Sequence, residues 1–253
     1  MLKSKQNNAG DLWNTSVKIF DKSIEILWSK RAKKTSHLGG GIRNSQCDDE
    51  KKQSNQKRST RRACSMIRQI IIENNMRYMW TLTYNAEIGD TTVARKDFKK
   101  YLQKLKYLLK EKPSYLMVMG YQEERYRKHG VKVIHFHFMT NSILPYKTVA
   151  EAWGKGIVHV TQAMPEEKVA NYLANHLKNS FNNDLLKGGK KYFCSQGLKR
   201  PLKKKLLLFE DELQLILSNS QVHRKVYYGE NTWLQFKGPE QCEKVKKFLF
   251  EDI

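Results

Sequence analysis

The feature that most constrains the fold of this chain is the strand-like run Val131–Met139, in which one aromatic residue separates His135 from His137. Side chains of a β-strand alternate between its two faces with a period of two. We therefore expect both imidazoles to point the same way, with the apolar residues packing into a core on the opposite face: Ile134, Phe136 and Phe138. Two neighbouring imidazoles offer a pair of nitrogen ligands for a divalent metal. The alternative is a half-buried strand with two surface histidines.

The charge of the chain indicates a polyanionic partner. It has 47 Lys and Arg against 25 Asp and Glu, a formal net charge of +22. Nucleic acid is the first candidate for such a partner, and an anionic membrane surface is the competing one.

Neither a membrane span nor a secretory signal is predicted. The sequence lacks a run of 18 apolar residues and the continuous apolar region of a signal peptide. The cysteines are far apart and form no CxxC pair, so we interpret them as reduced thiols rather than disulfides or zinc ligands: Cys47, Cys64, Cys194 and Cys242. These features favour a cytoplasmic protein, with a bacterial host cell as its setting.

Residues 1–60 differ from the rest and are predicted to be a basic, partly disordered N-terminal extension. Apolar residues from Trp13 to Leu27 recur at helical spacing, which predicts a short amphipathic helix. From Ser29 to Thr60 the chain is polar and basic without a hydrophobic period, which is typical of a flexible linker. We expect this linker to contact phosphates non-specifically.

Residues 61–202 are predicted to form an α+β domain, and 203–253 a C-terminal α/β extension packed on it. Strands are expected at 78–84, 115–121, 131–139 and 157–160, and helices at 64–72, 93–112, 145–153 and 165–179. Adjacent strands without an intervening helix imply antiparallel pairing, hence a central antiparallel sheet with packed helices. In the extension we expect helices at 206–217 and from 240, and strands at 226–228 and 233–236.

Further metal ligands are expected in the segment before the histidine strand. If the two strands form a hairpin centred near His129-Gly130, Glu124 lies opposite His135 and Gln122 lies opposite His137. Nitrogen and oxygen ligands together suit Mg²⁺ or Mn²⁺ and would accept Zn²⁺. The alternative for Glu124 is an exposed hairpin carboxylate.

The predicted helix at 165–179 carries the candidate nucleophile. Tyr172 and His176 form a stripe one turn apart, separate from the apolar face. This stripe is compatible with ordinary packing, but a phenolic oxygen can also attack a phosphodiester and form a covalent phosphotyrosine. Lys178 or His176 would then help to neutralise the developing charge.

Taken together, these segments resemble the HUH-type rolling-circle replication initiators of small phages and plasmids. The resemblance covers roughly residues 60–202 and is carried by motifs in the expected order: 80–84 (WTLTY), 135–137 (HFH) and 169–178 (VANYLANHLK), with 115–118 and 191–201 as flanking matches. It implies an RRM-like palm fold and metal-dependent, site-specific nicking and rejoining of single-stranded DNA through a 5′-phosphotyrosine. The implied partners are single-stranded DNA or an origin hairpin, with a host helicase and polymerase.

The chain departs from that family at three points. Relatives often carry a second tyrosine four residues after the first, where this chain has His176, so Tyr172 is expected to act alone, with Tyr192 as a fallback. The family's usual glutamate aligns near Gly120. No P-loop motif is present, so no built-in helicase is expected.

Two other functions stay open from the sequence. A relaxase or single-strand transposase of the same superfamily would share the histidine chemistry. A basic nucleic-acid-binding module without catalysis would use the histidines and Tyr172 only for structure.

Overall fold

The structure is a computed structural model that describes residues 12–34, 49–162, 166–182 and 192–250. The strands are β1 (Leu12–Ile19), β2 (Ser23–Lys34), β3 (Tyr78–Tyr84), β4 (Tyr115–Tyr121), β5 (Ile134–Thr140), β6 (Gly156–Gln162), β7 (Tyr192–Cys194), β8 (Leu202–Leu206), β9 (Arg224–Tyr228) and β10 (Asn231–Lys237). The helices are α1 (Asp49–Glu73), α2 (Thr91–Leu109), α3 (Glu123–His129), α4 (Tyr146–Trp153), α5 (Glu166–Asn182), α6 (Glu210–Asn219) and α7 (Pro239–Phe250). The predicted α+β class with antiparallel sheets is confirmed.

The chain divides into two compact units, a larger one at 46–199 and a smaller one made of 1–45 with 200–253. In the described part of the chain, no helix is long and apolar enough to cross a membrane. The division predicted from the sequence, at residues 60 and 202, stays a prediction about which parts fold independently.

The larger unit is built on an antiparallel sheet with strand order β6-β3-β5-β4-β7. The histidine strand β5 is therefore central, and all its residues are buried. One face of the sheet carries Phe136 and Phe138, which pack against Phe98 of α2 and, for Phe136, Trp153 of α4. Helix α5 lies on the other face and packs on α1 and β4. The histidines thus lie on the sheet face that α5 covers.

The smaller unit is a second antiparallel sheet, with strand order β8-β1-β2-β10-β9. Its core joins sheet residues such as Ile26 and Phe236 to α6 and α7 through Leu213 and Val245. The backbone of Leu208 accepts hydrogen bonds from Asn14 Nδ2 (2.7 Å) and Trp28 Nε1 (2.9 Å), and it donates one to Asn14 Oδ1 (2.9 Å). These bonds tie the N-terminal strands to the C-terminal segment.

The predicted amphipathic helix between Trp13 and Leu27 is wrong, because this segment forms the β1–β2 hairpin. Its buried apolar residues alternate, as Ile24 and Ile26 do, and such β-branched residues favour strands. The Phe20 N–H donates to the Ser23 carbonyl at 2.8 Å, which closes the turn. A spacing that fits a helical period over a short segment thus also fits two alternating strands joined by a turn.

The predicted flexible linker is wrong at both of its ends. Residues 29–34 belong to β2 and 49–60 belong to α1, while 35–48 lie outside the described residues. Lys, Arg and Gln are good helix formers, so a basic segment without an apolar period can still extend a helix that is anchored further on. In α1 that anchor is the buried stretch around Ile67 and Ile70.

We predict that the opposite-face packing of β5 dominates the stability of the larger unit. Phe136→Ala should lower the free energy of unfolding by about 3–5 kcal/mol, because it leaves a cavity in a fully buried aromatic cluster. Urea denaturation followed by circular dichroism measures the loss. The matched control is Tyr107→Ala on α2, where the side chain is 81% exposed and the change should stay within about 0.5 kcal/mol. Equal losses in the two variants would contradict this account.

Candidate metal centre and active site

The two histidines of β5 lie side by side on one sheet face, as predicted. Their Nε2 atoms are 3.1 Å apart, and Thr81 Oγ1 lies 3.3 Å from His137 Nδ1. Both side chains are buried, with exposed fractions of 7% for His135 and 3% for His137, so they are not surface histidines. The Nε2 separation is short enough for both nitrogens to reach one ion at about 2.1 Å.

Burial keeps both imidazoles in the form that binds metal. Desolvation, followed by the nearby His176, lowers the pKa of His135 to about 3. Desolvation also lowers the pKa of His137 well below its usual value, with His135 and His176 as the further causes. A neutral imidazole presents a lone pair, whereas a protonated one cannot coordinate a cation. The site is therefore ready to bind metal at neutral pH without first losing a proton.

His176 of α5 brings a third imidazole to the pair. One ligand nitrogen from each of His135, His137 and His176 lies within 4.8 Å of the others. The ring centroid of His176 is 4.9 Å from that of His135 and 4.7 Å from that of His137. This triad could bind a divalent metal ion. The Nδ1 of His135 is buried and has no hydrogen-bond partner among the described residues, which fits a site that still has a ligand to take up.

The predicted register of the strand before the histidines is wrong. Residues 123–129 form α3 rather than a continuation of the strand, so β4 and β5 pair antiparallel without a tight turn. Gly120 lies opposite His135, and Val118 lies opposite His137, instead of Glu124 and Gln122. The short helix absorbs the residues that the hairpin prediction had placed in the ladder.

Glu124 and Gln122 nevertheless line the same cleft as the triad. The cleft has a volume of about 700 Å³ and is lined at one side by α3 and at the other by α5. Its lining residues are Tyr121, Gln122, Glu124, Arg125, Arg127, His135, Tyr172, Asn175 and His176. Whether Gln122 or Glu124 binds metal stays a prediction, and the two arginines give the cleft an anion-binding wall.

Tyr172 stands at this cleft, one helical turn before His176. Its ring centroid is 5.6 Å from that of His137 and 6.1 Å from that of His176, with the Tyr172 and His176 rings stacked at 15°. The side chain is 49% exposed, so its hydroxyl is open to a ligand in the cleft. Tyr192, the fallback nucleophile, lies on β7 and packs partly buried against the hydrophobic core. The side chain of Lys178 lies outside the described residues.

Three features of the site had weaker signals in the sequence. Arg125 and Arg127 were predicted to flank an exposed hairpin, although two arginines two apart beside a candidate site are a signal for anion binding. His176 was assigned to charge neutralisation, although its spacing of four from Tyr172 places it on the same helix face. The close approach at Gly120 has only the glycine itself as a signal.

The fold and the site together define an α+β protein able to hold a divalent metal beside an exposed tyrosine. Residues 77–181 match the family described as Replication-associated protein ORF2. The matched segment runs from β3 into α5 and includes the histidine triad and Tyr172. The match supports a replication initiator that binds DNA at an origin. No curated protein and no solved structure gives a significant match to the chain.

We predict that metal binding depends on the β5 histidines. Addition of Mn²⁺ at about 100 times its dissociation constant should stabilise the full chain by about 2.7 kcal/mol, measured as a rise in melting temperature. His137→Ala should remove this rise, because the variant loses a ligand nitrogen. His159→Ala is the matched control, since that histidine is exposed on β6 of the same sheet. An undiminished rise in a folded His137→Ala variant would show that the ion binds elsewhere.

Proposed function

We propose that this protein initiates rolling-circle replication by nicking single-stranded DNA and rejoining it through a 5′-phosphotyrosine. The observation that carries the proposal is the position of Tyr172, whose ring lies 5.6 Å from that of His137 within one cleft. That cleft also contains two arginines and belongs to the segment similar to replication-associated proteins. A nucleophile, a metal site and phosphate-binding side chains are what phosphodiester transfer needs.

The reaction exchanges one phosphate ester for another. The Tyr172 hydroxyl oxygen attacks the scissile phosphorus, a new oxygen–phosphorus bond forms, and the bond to the 3′ oxygen breaks. The phenolic proton is lost, and the departing 3′ oxygen takes up a proton to become a free hydroxyl. The reverse attack by a 3′ hydroxyl rejoins the strand without ATP, because the phosphotyrosine conserves the ester bond.

The protein side chains orient and neutralise the phosphate. A free tyrosine has a pKa near 10, so charge on the phenol and on the transition state needs stabilisation at neutral pH. A divalent ion held by His135 and His137, with Glu124, Gln122 or His176 as a further ligand, would supply Lewis-acid stabilisation of a phosphoryl oxygen. Arg125 and Arg127 offer planar, permanently charged donors along the same cleft.

We predict that Tyr172→Phe abolishes the covalent adduct with DNA. The variant keeps the ring and its stacking on His176, so DNA affinity should change by no more than about 0.5 kcal/mol. Pooled single-stranded fragments of the element's own DNA, incubated with the protein and Mg²⁺ or Mn²⁺, reveal the adduct as a band that survives denaturation. Tyr192→Phe is the matched control and should retain the adduct.

Peptide mapping of the trapped adduct decides between the candidate functions. DNA attached to the peptide that contains Tyr192 would refute Tyr172 as the nucleophile. A protein that binds these fragments tightly but forms no adduct under any of the metal conditions would be a binding module without catalysis.

We predict that Arg125 and Arg127 bind phosphates of the DNA strand. Replacing both with Gln should weaken DNA binding and reduce the slope of log affinity against log salt concentration by about 0.7 for each phosphate that the variant no longer binds. Fluorescence anisotropy over a salt series measures this slope. The matched control replaces Lys99 and Lys100, exposed on α2, which covers the opposite sheet face. An equal change of slope in both double variants would mean that only total charge matters.

A further inference from the structure

Gly120 and His176 fit together at the centre of the site. Gly120 is a buried residue of β4 that pairs with His135 on β5. A Cβ atom built at Gly120 would overlap His176 Nε2, and it would lie 2.8 Å from Cδ2 and 2.9 Å from Cε1 of the same ring. All three nearest atoms belong to one imidazole. The ring therefore occupies the space where any other residue at position 120 would place its side chain.

The approach of this ring to the sheet sets the ligand chemistry. The resemblance placed a glutamate near position 120, but here that position has no side chain, and an imidazole from α5 fills the space. The three groups that converge are all nitrogen donors: His135, His137 and His176. Imidazole ligands suit transition-metal ions, whereas Mg²⁺ prefers oxygen and gives up its water reluctantly.

We propose that His176 is the third ligand of an all-imidazole metal site, that Gly120 makes room for it, and that this site selects a transition-metal ion over Mg²⁺. The inference rests on the proposed metal-dependent function for its purpose. Its test needs no DNA.

The proposal has a structural consequence for the nucleophile. Tyr172 and His176 lie one turn apart on α5, with stacked rings. An ion bound by His176 and by two histidines of β5 would link α5 to the sheet and fix the helix that carries Tyr172. The helix already contacts α1 through the Cys64 thiol, which lies 3.3 Å from the Ala174 carbonyl oxygen and donates to it.

The first experiment measures metal affinity of the full chain by calorimetry. Mn²⁺ should bind at least about tenfold more tightly than Mg²⁺. His176→Ala should weaken Mn²⁺ binding by at least the roughly 10–100-fold that removal of a hydrogen-bond partner of a metal ligand costs. Asn171→Ala, exposed on the same helix, is the matched control and should bind as the parent does.

A double-mutant cycle tests the role of Gly120. Gly120→Ala alone should weaken Mn²⁺ binding about as much as His176→Ala, because the methyl group displaces the imidazole. In the His176→Ala background the same methyl group enters vacated space, so adding Gly120→Ala should cost nothing further in metal affinity. Additive losses would contradict the idea that Gly120 acts through His176. Circular dichroism verifies that each variant is folded, and His176→Asn provides a second ligand-deficient variant.

Hydrogen exchange of α5 tests the link between metal and nucleophile. Mn²⁺ should slow amide exchange within 166–182 in the parent protein and should have no such effect in His176→Ala. Equal protection in both proteins would overturn this consequence.

The outcomes separate this proposal from the proposed function. If His137→Ala loses Mn²⁺ binding while His176→Ala keeps parental affinity, the third ligand is another group, and metal-dependent nicking is unaffected. Glu124→Gln and Gln122→Ala then identify that group. If Mg²⁺ binds as tightly as Mn²⁺, the inferred selectivity is wrong. If none of the histidine variants changes metal binding, both the triad and the metal-dependent mechanism fail together.

Discussion

The structure of the larger unit depends on placing two histidines in a strand that is buried along its whole length. Strand β5 is paired on both sides and covered on both faces, so its polar side chains have no route to bulk water. A buried imidazole must be neutral, hydrogen-bonded or bound to a cation to avoid a large desolvation cost. His135 and His137 lie against each other and, in the case of His137, against Thr81. Packing alone does not require this pair, and an apolar pair would be cheaper, so the strand indicates a retained function.

A metal site on a central strand needs its remaining ligands from elements that cross that strand. Here α5 is that element, because its buried Ala170 and Leu173 fix the helix on the sheet while the Tyr172 and His176 stripe faces the histidines. Residues four apart on a helix lie on one face, so a single docking event positions both groups. The glycine on the neighbouring strand then decides how deeply that stripe can approach. The ligand set and the position of the nucleophile thus follow from one helix–sheet contact.

The sequence was most informative where two periods of hydrophobicity were long and unambiguous. Alternation predicted β3, β4, β5 and β6, and helical spacing predicted α2 and α5, because each segment buries one face against a core. The same-face position of His135 and His137 followed directly from the strand period. The failure at Glu124 came from the connection rather than the strands. Residues 122–130 contain charged helix formers and end in a glycine with a positive φ of 70°, which is a helix C-cap pattern as well as a turn pattern.

The ligand role of His176 could not follow from local pattern, since it depends on how closely α5 approaches β4. That distance is set by tertiary packing and by the absence of a side chain at Gly120. A single sequence records the glycine but not what fills the space beside it.

The N-terminal error has a wider physical meaning, because it concerns where the chain's basic residues stand. Strand β2 is the middle strand of the smaller sheet, with β1 on one side and β10 on the other. Its residues Ile24, Ile26 and Trp28 are buried against partners that come from the far end of the chain. Removing the N-terminal segment would therefore take out the centre of a sheet and expose the apolar faces of α6 and α7. Its lysines and arginines are held on a folded surface, so they can contribute to phosphate binding only in a fixed arrangement rather than as a mobile tail.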